Sequence, residues 1–216
     1  AASDVYKRQG MEGSFFWIAW IGGRGDLSDV LIMHCPYCAN PVTETSPTCP
    51  SCNFSISGAD QLFGEAPRLS LGINDHGGVL SPSDNQEILD DLTSMAGRYP
   101  QIRFSIITVS LTPDTSLPTM ATWLLNRAGL FGDDEGGGAN RGIVLLIDTA
   151  NRRATVQTGY GLEPFIGYGH LEAVLDDARS DLEGGRFRDA ITSMLRSVEG
   201  ALESVHGELG DTYGLD

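Results

Sequence analysis

The spacing of apolar and polar residues predicts four strands in the C-terminal two thirds of the chain. Residues 102–109 and 153–158 are rich in β-branched side chains, which favour strands. Residues 142–147 are apolar almost throughout, which is typical of a central strand covered on both faces. A shorter strand is predicted over 69–73. Because Asn151-Arg152 fits a tight turn, 142–147 and 153–158 are expected to form a hairpin.

Apolar residues recur at helical spacing in four other segments. The first helix is predicted to begin after Ser81 or Ser83, since serine is a good N-cap residue. The others are predicted over 119–129, 170–182 and 187–205. Each helix has one apolar stripe to bury against another layer. The order β-α-β-α-β-β-α-α therefore predicts an α/β fold, an α/β/α sandwich with a central mixed sheet.

Composition narrows the class of partner. The chain has 216 residues, 14 Lys and Arg against 29 Asp and Glu, and a formal net charge of −15. A surface of this sign repels a phosphate polyanion, so we expect no nucleic-acid partner held by broad electrostatics. Hydrophobic residues make up 41% and charged residues 20%, as in an ordinary globular chain.

The N-terminal segment differs from the rest of the chain. Its apolar run Phe15–Ile21 is too short to span a bilayer, which takes about 20 residues, so no membrane span is expected. Residues Asp4–Gln9 look like a translated sequencing-library adaptor, and they include Lys7, the only lysine of the chain. We expect 1–32 to be a non-native or unstructured leader, with Met33 as a plausible true start.

Four cysteines form the most specific motif of the sequence. Cys35 and Cys38, ten further residues, and then Cys49 and Cys52 make the doubled C-x-x-C pattern of a zinc ribbon, predicted over 33–56. Four thiolates about 2.3 Å from one Zn2+ leave no open coordination position, so the predicted site is structural. A redox pair and a disulfide are the alternatives; redox pairs usually start a helix, whereas these cysteines lie among Pro, Thr, Ser and Asn. The absence of any other cysteine indicates a reducing compartment, and we expect a cytoplasmic location.

The remaining boundaries follow from changes in periodicity. Residues 57–67 lack a sustained period and are predicted to be a linker, followed by a main domain over 68–206. Residues 207–216 are acidic and rich in glycine, and a disordered tail is expected there. The ribbon has Glu44 as its only charged side chain between its outer cysteines, and its contact is left open among a protein, a nucleic acid and its own next domain.

Several segments of the main domain resemble the TPM domain family. They are 73–81, 142–147, 153–163 and 187–191, and the most specific of them is the Gly-Tyr-Gly-Leu-Glu stretch over 159–163. The resemblance implies an α/β/α sandwich, divalent-cation binding in some members, and a phosphatase activity attributed to some plant and bacterial relatives. It implies no agreed set of catalytic residues, and many relatives are exported and membrane-anchored.

Three acids lie at turns where predicted strands end: Asp75, Asp148 and Glu163. Carboxylates from separate turns can converge at strand ends on Ca2+ or Mg2+, and this is the predicted divalent-cation site. Each acid also has a structural interpretation. Asp75 fits a cap on the following turn, Asp148 an Asx-turn, and Glu163 an ion pair with Arg152 or Arg153.

Two functions follow from these residues. The first is an adaptor whose ribbon and TPM-like domain bind a protein partner, with a divalent cation setting a loop. The alternative is a metal-dependent phosphatase-like hydrolase of phosphate monoesters, in which a metal-activated water attacks phosphorus. Arg141, Arg152 and Arg153 are the nearest candidates to hold the phosphate. The sequence contains no cysteine outside the ribbon, no G-x-S-x-G elbow and no P-loop, so covalent catalysis is not predicted.

Overall fold

The computed structural model describes residues 32–43, 46–130, 141–159, 161–162, 166 and 168–213. Within them the elements in chain order are β1 (Ile32–His34), β2 (Pro41–Thr43), α1 (Ile56–Phe63), β3 (Gly72–Asp75), α2 (Pro82–Arg98), β4 (Arg103–Val109), α3 (Leu117–Arg127), β5 (Gly142–Asp148), β6 (Arg153–Thr158), α4 (Tyr168–Glu183) and α5 (Phe187–Tyr213). The last residue of the predicted leader, Ile32, is the first residue of β1. The other leader residues lie outside the described residues.

One mixed sheet forms the centre of the main domain. Its strands lie in the order β3-β4-β5-β6, with β3, β4 and β5 parallel and β6 antiparallel to β5. All seven residues of β5 are buried, as the apolar run predicts for a central strand. The β5–β6 hairpin turns at Arg152, which has a left-handed φ of 51°.

Helices cover both faces of the sheet, and the side chains of β5 alternate between the two layers. Leu145 and Ile147 pack in one buried cluster with α2, α4 and α5, whereas Val144 and Leu146 pack in a second cluster with α1 and α3. This alternation follows from the two-residue period of a strand. The predicted α/β/α sandwich with a central mixed sheet is confirmed.

Local signals set most helix starts. Ser81 caps α2 in a capping box with Asp84, which settles the choice between the two predicted serines. Helix α3 begins at Leu117, two residues before the predicted start, because Ser116 is its N-cap and Pro118 fits the first turn. In the described part of the chain, no helix is both long enough and apolar enough to cross a bilayer.

Two segments are more regular than predicted. Helix α1 occupies most of the predicted linker 57–67: Ser55 accepts a hydrogen bond from the Gly58 amide at 3.0 Å, and Ala59 is buried against the domain. Helix α5 continues to Tyr213, so the expectation of a disordered tail is wrong as far as that residue. Extending a formed helix costs less than starting one, which favours this continuation despite its glycines.

Candidate metal centre

The first cysteine knuckle follows strand β1. The carbonyl of Cys35 accepts a hydrogen bond from the amide of Ala39 at 2.8 Å, and the amide of Cys35 donates to the carbonyl of Asn40 at 2.9 Å. Ala39 closes the turn with a φ of 56°. These bonds form a tight turn that directs the side chains of Cys35 and Cys38 to the same side, as two ligands of one ion require.

The second knuckle repeats this pattern. The carbonyl of Cys49 accepts from the amide of Asn53 at 2.8 Å, and the amide of Cys49 donates to the carbonyl of Phe54 at 2.8 Å. Asn53 has a φ of 59°, matching its counterpart in the first knuckle, and asparagine tolerates this conformation better than most residues. Cys52 is thereby placed beside Cys49 and faces the first knuckle.

The four sulfur atoms lie within 4.8 Å of one another. Cys35 Sγ is 3.6 Å from Cys52 Sγ, and Cys38 Sγ is 3.7 Å from Cys49 Sγ. Both distances exceed the S–S bond of about 2.05 Å, and all four cysteines are free. Four sulfurs about 2.3 Å from a tetrahedral Zn2+ would be about 3.8 Å apart, so the cluster fits this ion. Among the described residues, these cysteines are the one group of three or more His, Cys, Asp and Glu side chains able to hold a metal.

The four cysteines of the cluster differ in the direction in which their pKa values are shifted. Hydrogen bonds from Asn40, by its side chain and then its backbone, lower the pKa of Cys38 to about 6. Burial, reinforced by the neighbouring thiols, raises the pKa of Cys52 to about 12. Burial likewise raises the pKa of Cys35. Burial would raise the pKa of Cys49, but hydrogen bonds from the amides of Cys52 and Ser51 outweigh it, and this pKa is lowered as well. Four thiolates at these distances need a cation to offset their mutual repulsion.

Asn40 is a residue of the centre that the sequence reasoning missed. Its amide Nδ2 lies 3.4 Å from Cys38 Sγ and donates to it. A side-chain amide two positions after a C-x-x-C pair, where the turn folds back on the sulfur, is the signal that would have found it. Second-layer donors of this kind orient metal ligands and tune their basicity.

Asp75, at the end of β3, is engaged by the turn that follows. Its two carboxylate oxygens accept hydrogen bonds from the amides of Val79 at 3.2 Å and Leu80 at 3.1 Å. The hydroxyl of Thr108, on the neighbouring strand, also donates to this carboxylate. These contacts correspond to the capping interpretation of Asp75.

Asp148, at the end of β5, is fully buried and accepts four hydrogen bonds. Oδ1 accepts from the amides of Leu111 at 3.1 Å and Asn151 at 3.3 Å. Oδ2 accepts from Nδ2 of Asn151 at 2.7 Å and from Nε of Arg153 at 3.0 Å. Burial alone would raise the pKa of this carboxyl, but these donors outweigh it, and the pKa lies below its ordinary value. The contacts correspond to the Asx-turn interpretation.

The structure does not bring these two carboxylates together. Asp75 is paired in register with Thr108, which is paired with Ile147, so Asp75 shares a sheet face with Ile147. Asp148 is the next residue and leaves the sheet on the opposite face. The two acids are also two strands apart, about 9–10 Å. Glu163 lies outside the described residues, so the three-acid cation site stays a prediction.

The fold and the sequence together identify the class of protein as a mixed-sheet α/β/α sandwich preceded by a four-cysteine cluster. The chain belongs to the TPM domain family, whose model matches residues 73–201. The match begins in β3 and ends in α5, so the cysteine cluster and α1 both lie outside it.

Solved structures similar to this chain include two bacterial N-terminal domains, both determined by solution NMR. The domain from P. gingivalis is 20% identical, with a TM-score of 0.49, and the similarity covers 68% of this chain and 88% of that one. The domain from Corynebacterium glutamicum is 16% identical, with a TM-score of 0.48, covering 74% and 88% respectively. No curated protein matches this chain in sequence.

Proposed function

We propose that this protein is a zinc-ribbon adaptor, in which Cys35, Cys38, Cys49 and Cys52 hold a structural Zn2+ and the ribbon and TPM domain together bind a protein partner. The observation that carries the metal assignment is the mutual distance of the four sulfurs, all within 4.8 Å. Zinc bound by four thiolates has no position for water or substrate. Its role is to stabilise a short module that has too few residues to form a core.

The first knuckle presents the feature that supports a binding role. Tyr37, between the first two cysteines, has 62% of its surface exposed, although tyrosine is an amphipathic residue that often anchors interfaces. The turn fixed by the metal would hold this ring in place before a partner arrives, which lowers the entropic cost of binding. Free thiols also suit a reducing location such as the cytoplasm.

The hydrogen bonds that Asp75 and Asp148 accept favour the adaptor over the hydrolase. The carboxylates of Asp75 and Asp148 are both occupied by donors from their own turns. A catalytic cation would have to compete with these donors for the same oxygens. The adaptor therefore accounts for the acids and the cysteines with fewer rearrangements.

A photo-crosslinking experiment tests the adaptor role. Tyr37 is replaced by the photoreactive amino acid p-benzoylphenylalanine in the full chain, expressed in the source cells, and adducts are identified by mass spectrometry. The control carries the same amino acid at exposed Asp176, on α4. We expect one adduct protein specific to position 37 and lost in the Cys52→Ser variant. Equal adducts at both positions, or adducts that do not depend on Cys52, would contradict a zinc-ordered docking surface.

The hydrolase is the second candidate. Its support is the family resemblance and the location of Asp75 and Asp148 at the carboxyl edge of the parallel strands, although a Ca2+ or Mg2+ site shared with Glu163 would require both acids to reach one face of the sheet. Release of phosphate from an aryl phosphate by zinc-loaded protein in Ca2+, Mg2+ or Mn2+ tests it. Activity that disappears in Glu163→Gln would support the hydrolase over the adaptor, whereas no release above the buffer rate would reject it.

A further inference from the structure

Helix α1 completes the core of the TPM domain from outside the segment that the family model matches. Ala59 is 2% exposed and belongs to the buried cluster formed by α3 and one face of the sheet. The ring of Phe63 lies 5.1 Å from that of Trp123, centroid to centroid. Removing α1 would therefore uncover part of α3, including the largest side chain of this cluster.

Asp60 fixes α1 to α3 by directed bonds. Its Oδ1 accepts from Nε1 of Trp123 at 3.0 Å and from Nε of Arg127 at 3.1 Å. Its Oδ2 forms an ion pair with Arg127 at 3.0 Å. The Asp60–Arg127 pair is exposed and contributes little by itself. The indole of Trp123, in contrast, is 2% exposed, and Asp60 supplies a partner for its buried N–H.

The second knuckle continues directly into α1. Phe54 accepts the amide hydrogen bond that closes this knuckle, at 2.8 Å from Cys49, and its side chain packs on the core cluster shared by α1 and α3. Ser55, the next residue, is the N-cap of α1. The second knuckle and α1 therefore follow one another with no intervening segment.

The first knuckle contacts α3, the helix to which Asp60 fixes α1. The hydroxyl of Thr119, in the first turn of α3, lies 3.5 Å from the carbonyl of Pro36 and donates to it. Thr119 is itself buried, with 1% exposure. Both knuckles therefore contact the layer formed by α1 and α3. The second knuckle is joined to α1 along the chain, and the first knuckle contacts α3 through a hydrogen bond.

We infer that α1 couples the cysteine cluster to the TPM domain, so that metal binding by the cysteines and packing around Trp123 stabilise each other. This inference rests on the proposed zinc site. Such coupling is reciprocal: if zinc favours the docked α1, docking of α1 must favour zinc to the same degree. Zinc binding at the cluster would then change the stability of the TPM domain, although none of the four cysteines lies in its four-stranded sheet.

Trp123 provides the reporter for the test. The chain has three tryptophans, and the substitutions Trp17→Phe and Trp20→Phe leave Trp123 as the only one. Full-length protein of this background is prepared with zinc and after stripping by EDTA. Zinc content is measured by mass spectrometry, Trp123 emission by fluorescence, and thermal unfolding of the sheet by circular dichroism. We expect stripping to shift the emission to longer wavelength and to lower the Tm by about 5 °C or more.

Two variants locate the coupling at α1. Asp60→Asn weakens the bonds to Trp123 and Arg127, and Phe63→Ala removes the ring contact. The matched control is Asp176→Asn, which disrupts the exposed pair of Asp176 with Arg179. We expect the two α1 variants to bind one zinc but to lose about half or more of the zinc-dependent shift in Tm, and the control to keep the full shift.

The outcomes separate the two proposals. One bound zinc with emission and Tm unchanged by stripping would overturn the coupling and leave the zinc site standing. No zinc in the purified full-length protein, and none taken up from excess Zn2+, would overturn the zinc site, and the coupling with it. An unchanged zinc-dependent shift in both α1 variants would show that the effect does not pass through α1 and would also overturn the coupling.

Discussion

Replacing Asp148 by asparagine separates its two interpretations, as a structural carboxylate and as a ligand of a divalent cation. The side chain has 0% exposure and its oxygens accept four hydrogen bonds. In Asp148→Asn one oxygen can still accept from the amides of Leu111 and Asn151. The new NH2 group then faces two donors, Nδ2 of Asn151 and Nε of Arg153, formerly 2.7 Å and 3.0 Å from the replaced oxygen.

The cost follows from the bonds lost. Each hydrogen bond to a charged group contributes about 1.5–3 kcal/mol, and breaking a buried ion pair from one side costs about 3–5 kcal/mol. Arg153 is 34% exposed and can recover some hydration, which favours the low end of that range. We expect a loss of about 3 kcal/mol in the free energy of unfolding, or a fall in Tm of about 6–12 °C for a chain of this length.

Thermal unfolding followed by circular dichroism at pH 7 measures this loss. Asp176→Asn is the control, because its exposed ion pair should change Tm by no more than about 2 °C. If Asp148 were instead held for a cation, its charge would be unbalanced without metal. The substitution would then leave Tm unchanged or raise it in metal-free buffer, and that result would refute the structural interpretation.

The pH dependence of stability provides a second test of the structural interpretation of Asp148. The pKa of Asp148 is lowered in the folded state, so its contribution is complete above the unfolded pKa of about 3.9 and is lost as the pH falls through the folded value. The difference in stability between the wild type and Asp148→Asn should therefore be largest near neutral pH and shrink below about pH 4. A difference that grows on acidification would contradict the assignment.

Two further substitutions test the metal centre and the β3–α2 turn. Asn40→Ala removes the amide that donates to Cys38 Sγ at 3.4 Å. We expect the zinc affinity, measured in competition with a chromophoric chelator, to fall by about 10-fold or more, and an unchanged affinity would show that Asn40 does not support the metal ligand. Gly77→Ala would place a Cβ 2.8 Å from Cγ2 of Thr149 and 3.0 Å from Oγ1 of Thr108, and we expect this overpacking to cost about 1–3 kcal/mol in urea unfolding. A loss below about 0.5 kcal/mol would show that the turn has room to move.

The parts of the fold that follow from local pattern could be predicted from the sequence. The apolar run over 142–147 indicated the central strand because a strand covered on both faces needs no polar side. The strand over 153–158 matched its predicted bounds. The doubled C-x-x-C spacing indicated the cluster, because two intervening residues in a tight turn direct both thiolates to one ion.

Features set by contacts between distant segments could not be predicted in this way. Helix α1 has eight residues including Gly58, too few to be stable alone, and its partner Trp123 is 63 positions away from Asp60. The opposite faces of Asp75 and Asp148 depend on the register of three strands, and a slip of one residue would reverse them. Proximity to a strand end can therefore place both acids at one edge of the sheet, whereas the face of each depends on strand register.

X-ray absorption at the zinc edge of the full-length protein tests the central claim, that the four cysteines form one closed metal site. We expect one zinc per chain with a single shell of four sulfur atoms at about 2.3 Å and no nitrogen or oxygen ligand. A shell containing nitrogen or oxygen at about 2.0–2.1 Å, or fewer than four sulfurs, would contradict a closed thiolate centre.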